Sequence, residues 1–134
     1  MEISARVMAE SGCLWVKNHP RQFKTIMSLI HEQVDDGNPC VQEGDIAMLA
    51  RSRHIEWSDI KELKRDHNLW AVLTRYMVML RPRLARALHF RKSKVDDLDL
   101  VEVWHGTVNG GTTFLASSWR EAKEMVRLND AAAD

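Results

Sequence analysis

Apolar residues recur at three- and four-residue spacing along most of this chain, and the stripes they draw predict a set of packed helices. The first stripe is short. Ile3, Val7 and Met8 predict a helix over residues 2–11, with Gly12 as its stop. Asn18 or His19 caps the next helix and Pro20 enters its first turn, where a missing N–H costs nothing. Phe23, Ile26, Met27, Ile30 and Val34 form one face of it, and Asp35-Asp36-Gly37-Asn38-Pro39 ends it with turn chemistry. Asp45 caps a third helix over 46–53. A fourth begins near Ser58, with Ile60 and Leu63 in its stripe.

Asn68 caps a fifth helix, 69–80, which is apolar on most faces: Leu69, Trp70, Val72, Leu73, Tyr76, Met77, Val78 and Met79. Such a helix belongs in the buried centre of a domain or in an oligomer interface. Pro82 opens a sixth helix over 83–89, and the basic run 91–94 reads as a loop. The next segment reads two ways. Leu98, Val101 and Trp104 fit a helix over 96–105 stopped by Gly106. The runs 100–104 and 112–115 around Asn109-Gly110-Gly111 also fit a β-hairpin. The helix fits the first part better; the second part stays open. Ser117 or Ser118 caps a last helix reaching about Leu128, with Trp119, Ala122, Met125 and Val126 on one side.

These elements predict an all-α or nearly all-α fold of six or seven helices in one domain spanning 1–134, with room for a short β-hairpin near 100–115. A chain of 134 residues, 45% apolar and 28% charged, has enough material for a core. No apolar run approaches membrane-spanning length, and the N-terminus lacks a basic stretch followed by an apolar one, so a cytoplasmic protein is expected. Cys13 and Cys40 sit among apolar neighbours and read as reduced, partly buried thiols. His19 and His31 are at hand, but the spacing fits no common zinc pattern. Five tryptophans and seven methionines suit core packing. Trp15, beside Cys13, Leu14 and Val16, is the one with an alternative role, as an anchor for a partner chain.

Charge changes the picture. The chain is neutral in total, yet residues 51–94 carry twelve Lys and Arg against four acids, a net +8, and the rest carries −8. A basic block of this kind suits a polyanion-binding face. The alternative is that the acidic ends fold back and neutralise it.

The block overlaps a second pattern. Take Ile46 as the first position of a window of about twenty residues. Leu49 then falls on the fourth, apolar position and Ala50 on the fifth, where a small residue lets two helices cross. His54 falls in the turn, and Ile55, Ile60 and Leu63 fall on the three positions that lock a second helix down. In these residues the segment 45–66 resembles helix-turn-helix DNA-binding proteins. It departs from them in having His54 where Gly is usual and Arg53 where an apolar residue is usual. The resemblance implies a second helix entering the major groove. There Ser58 bonds to base edges, an acid such as Glu56 or Asp59 accepts from cytosine, and Arg51, Arg53, Lys61, Lys64 and Arg65 hold phosphates. Arg81, Arg83 and Arg86 extend the footprint if the sixth helix lies on the same side, and so do Arg91, Lys92 and Lys94.

An enzyme is not expected. The chain has no GxSxG, HExxH or phosphate-binding loop, and Asp96-Asp97-Leu98-Asp99 lacks the oxygen spacing of a calcium loop, reading instead as an acidic helix start. No cofactor is expected. The function implied is a transcription regulator that binds DNA as a homodimer, the contact coming from helix 69–80 or the N-terminal segment. The other reading is a small helical protein-interaction module, an adaptor or an inhibitor of the kind mobile genetic elements make, with a protein partner and no DNA.

Overall fold

A computed structural model describes residues 4–55 and 67–128. Among these residues there are six α-helices, two 3₁₀ turns and no strand. The helices are α1 (Ala5–Asn18), α2 (Pro20–Asp35), α3 (Glu43–Ser52), α4 (His67–Leu80), α5 (Leu100–Thr107) and α6 (Trp119–Leu128). The 3₁₀ turns are Pro82–Arg86 and Lys94–Asp97.

Helix α4 is the axis of the packing. Its apolar residues have nowhere to face but inward, and Val72, Leu73 and Tyr76 through Met79 are fully buried. α1 packs across it together with α5. α6 and the 3₁₀ turn Pro82–Arg86 cover another side, α2 packs on that same turn, and α3 packs on α2. The apolar character of 69–80 is therefore consumed inside the chain. It does not supply the dimer contact that the sequence also allowed, because all of it from Val72 to Met79 is buried within the chain.

α1 does not stop at Gly12. It starts at Ser4, whose Oγ accepts the Val7 N–H at 3.1 Å, and runs on to Asn18. Gly12 is buried against α4, and a Cβ there would stand 2.3 Å from Val72 Cγ1. The glycine marks a close crossing of two helices, not an end. At the true end, the His19 N–H donates to the Trp15 and Val16 carbonyls, and Pro20 starts α2 as expected. Trp15 is 5% exposed and stacks on His19, so it is a core residue and not an anchor. α2 ends at Asp35, and Gly37 takes the left-handed conformation at φ +81° that reverses the chain.

Three other boundaries differ from expectation. Asp45 is not the cap of α3; Gln42 is, and Asp45 reaches back to accept the Gln42 N–H at 2.9 Å. Pro82 opens one 3₁₀ turn, not an α-helix to residue 89. The third lies around residues 96–107. Helix α5 begins at Leu100, where Asp99 accepts the Glu102 N–H, and passes through Gly106 to Thr107. The hairpin alternative does not occur. The stretch 112–116 is tied to α4 instead, with the Leu115 and Ala116 N–H groups donating to the Met79 carbonyl. Ser118 Oγ accepts the Glu121 N–H at the start of α6, as predicted.

The core carries one aromatic cluster. Trp104 lies 4.9 Å from Tyr76 and meets Phe114 edge-on, with Phe23 at its border. The Tyr76 hydroxyl donates to the Leu100 carbonyl at 2.8 Å. Cys13 is buried beside Tyr76. Burial pushes its thiol up to about 11, against a small opposing effect of the Tyr76 hydrogen bond. Cys40, by contrast, is exposed.

The core also carries one buried ion pair. Arg75 is the one charged side chain between Leu69 and Leu80, and Asp96 of the second 3₁₀ turn meets it. Arg75 Nε donates to Asp96 Oδ1 at 2.7 Å and Nη2 to Oδ2 at 3.2 Å. The other guanidinium protons go to the carbonyls of Ala71 and Arg91, and Asp96 also accepts from the Trp119 indole and the Ser93 N–H. Phe90 lies under the guanidinium and stacks on Trp119. With every charge satisfied, the pair is tolerable in the interior.

Candidate nucleic-acid interface

The corner after α3 is built from local chemistry. Ile46, Ala47 and Ala50 are the inward face of α3, and Leu49 packs beside them, while Met48 is 70% exposed. The helix closes with a pair of reversed hydrogen bonds. Ile55 N–H donates to the Ala50 carbonyl at 3.0 Å, and His54 N–H to the Arg51 carbonyl at 3.1 Å. This is the Schellman arrangement, which requires a left-handed residue between the helix and the apolar residue that follows. His54 supplies it with φ +55°, the one non-glycine residue at positive φ among those described. Ile55 then folds back against the core. The small residue, the left-handed turn and the apolar plug thus occupy the fifth, ninth and tenth positions of the window. Ser58, Lys61, Lys64 and Arg65, with Ile60 and Leu63, lie outside the described residues.

The basic residues on either side divide. Arg51 is exposed and has no ion pair among the described residues. Arg53 is held by both its Nη atoms on the Glu32 carboxylate, near the end of α2. That contact lowers the Glu32 carboxyl below its ordinary value and raises the Arg53 guanidinium. Arg83 meets the same end of α2. Its Nη2 donates to Asp35 Oδ1 at 2.5 Å and its Nη1 to His31 Nε2 at 3.0 Å, while His31 Nδ1 faces Asp35 at 3.2 Å. Glu32 and Asp35 are three residues apart on one helix, hence neighbours on its surface. Arg53 and Arg83 are therefore brought to one place, both paired there.

Arg81 borders that cluster through His31 but has no ion pair in it. It is exposed at the rim of a cavity of about 340 Å³, with Lys24, Ser28 and His31 across from it. Arg86 borders a different cavity, of about 670 Å³, with Lys123 and Arg127 of α6. Lys123 Nζ donates to the Ala85 carbonyl at 2.5 Å, and partial burial lowers its ordinary value. No family model matches this chain, and neither curated proteins nor solved structures return a match.

The charge segregation seen in the sequence is thus partly cancelled in the fold. Arg53, Arg75 and Arg83 of the basic block pair with Glu32, Asp96 and Asp35 from outside it. Sequence reasoning missed these acids, and local spacing carries no trace of partners 21 and 48 residues away. Arg51, Arg81, Arg91 and Lys92 remain exposed without an ion pair among the described residues. No helix among those residues is long and apolar enough to cross a membrane.

Proposed function

We propose that the chain is a DNA-binding transcription regulator, with α3 as the first helix of a helix-turn-helix and residues 56–65 as its reading element. The observation that carries this is His54. A histidine held left-handed costs about 1 kcal/mol more than a glycine. Here it sits where such a motif needs its turn, between a buried Ala50 and an inward Ile55. Arg51 and Arg81 supply phosphate contacts, while Arg53 and Arg83 are occupied by Glu32 and Asp35 of α2. A homodimer reads enough base pairs for specificity. The surface for it is the outer side of α1, where Val7 and Leu14, two turns apart, are 52% and 48% exposed.

The test is fluorescence anisotropy of a labelled random-sequence duplex at about 50 mM and about 200 mM salt. Six or more phosphate contacts predict a loss of affinity on the order of a thousandfold between the two. Lys64→Glu/Arg65→Glu should abolish the binding. The second reading, a protein-interaction module, is favoured by exposed Met48 on α3 and by the pairing of Arg53 and Arg83. Absence of duplex binding even at the lower salt would leave that reading in place.

A further inference from the structure

Two cavities of about 550 and 310 Å³ adjoin one another beside the start of α4. Val41, Trp70, His89, Phe90 and Arg91 line both. The joint groove has α4 from Asn68 to Arg75 on one side and the irregular segment 88–93 as the wall on the other. The start of α3 closes the far end. Its size is in the range that holds an organic ligand.

Three features say what kind of ligand. The first is Trp70. Trp15, Trp104 and Trp119 each face another ring, whereas Trp70 is half-buried in the groove with no ring partner among the described residues. Its inner side packs on the core, and an indole that lines a groove without a ring partner offers a stacking platform to another flat ring. The second is charge. Arg91 and Lys92, consecutive on the wall, are exposed and without an ion pair among the described residues. The third is rigidity. The Arg91 carbonyl accepts from Arg75 at 2.7 Å, the Ser93 N–H donates to Asp96 at 3.0 Å, and His89 Nε2 donates to the Pro39 carbonyl at 2.8 Å. The buried ion pair therefore fixes the backbone that carries the two free cations, so binding would not have to order it.

From this we propose that the groove binds single-stranded nucleic acid, one unpaired base stacking on Trp70 and the flanking phosphates resting on Arg91 and Lys92. Aromatic faces interleaved with cations are what such strands require. A duplex cannot offer a base face to Trp70, because pairing and stacking close its bases. The site does not depend on the duplex reading: the start of α3 lies about 15 Å from the Arg51–Arg53 end of that helix.

The experiment uses the full chain and a labelled oligodeoxythymidylate of about twelve nucleotides at about 50 mM salt. Binding is expected, with quenching of tryptophan emission. Trp70→Ala should weaken it about tenfold, the loss of one stacked base, and leave duplex affinity unchanged. Arg91→Glu/Lys92→Glu changes only exposed side chains, so it keeps the fold and should weaken binding by more than tenfold. Lys64→Glu/Arg65→Glu should spare the oligonucleotide whatever it does to duplex. No oligonucleotide binding at that salt, or binding that both groove variants leave intact, overturns the site.

Discussion

Two arginine–carboxylate pairs in this molecule each bridge 21 residues of sequence, and they do different things. Arg75 and Asp96 are 2% and 3% exposed; Arg53 and Glu32 are 43% and 38% exposed. The first pair sits at the meeting point of α4, α6 and the 88–97 segment, with a tryptophan, an arginine carbonyl and a serine amide completing it. The second spans two helices in water. The same two functional groups are structural in one place and close to interchangeable with solvent in the other. Burial decides which, because the interior leaves a lone charge no alternative partner.

The largest effect should come from breaking the buried pair. Asp96→Ala leaves a guanidinium, an indole N–H and an amide without their acceptor, and should cost about 3–5 kcal/mol in chemical denaturation. Arg75→Met/Asp96→Leu, which removes both charges, should recover most of that. The shortfall measures what the pair contributes by holding the 88–93 segment, and full recovery would mean that it merely tolerates burial there.

Acid should expose the same asymmetry. Burial works to raise the Asp96 carboxyl, but the Arg75 hydrogen bond, helped by the Ser93 amide, the Arg75 charge and the Trp119 indole, prevails and holds it below 3.8. A depressed carboxyl contributes its full stability above the unfolded value and loses it as pH falls through the folded one. Unfolding followed by circular dichroism should therefore steepen below pH 3.8, and Asp96→Asn should flatten the curve there.

The corner of α3 predicts smaller changes. His54→Gly relieves about 1 kcal/mol of left-handed strain, offset in part by the extra chain entropy of glycine, and should raise stability by about 0.5 kcal/mol. If it destabilises instead, the imidazole has a contact that outweighs the strain. Smallest of all should be Arg53→Ala, whose thermal midpoint should stay within experimental scatter of the wild type. A large drop would make the exposed pair a second structural pair and erase the contrast.

What could be read from the chain beforehand follows the same division. Helices with an amphipathic stripe, such as α2 and α6, declared themselves through period and caps, since Pro20 and Ser118 act locally. The left-handed turn at residue 54 was also legible, because a helix closing on an apolar residue needs one. Gly12 misled, because a glycine that ends a helix and one that lets two helices touch look alike in one dimension. Arg75 offered a signal, a lone charge in an apolar helix, but not its partner. Asp96 looked like any acidic helix start. The groove was illegible for a related reason: Trp70 and Arg91 become neighbours only once the buried pair draws the 88–93 segment over α4.

The contact between Gly12 and Val72 also limits how this sequence can drift. A methyl group added at residue 12 would stand 2.3 Å from Val72 Cγ1, so that change alone must push two helices apart. Trimming Val72 to alanine first leaves only a cavity, which the interior tolerates better. A lineage can therefore walk from glycine–valine to alanine–alanine in one order and not readily in the other. The two positions therefore constrain each other, although sixty residues separate them.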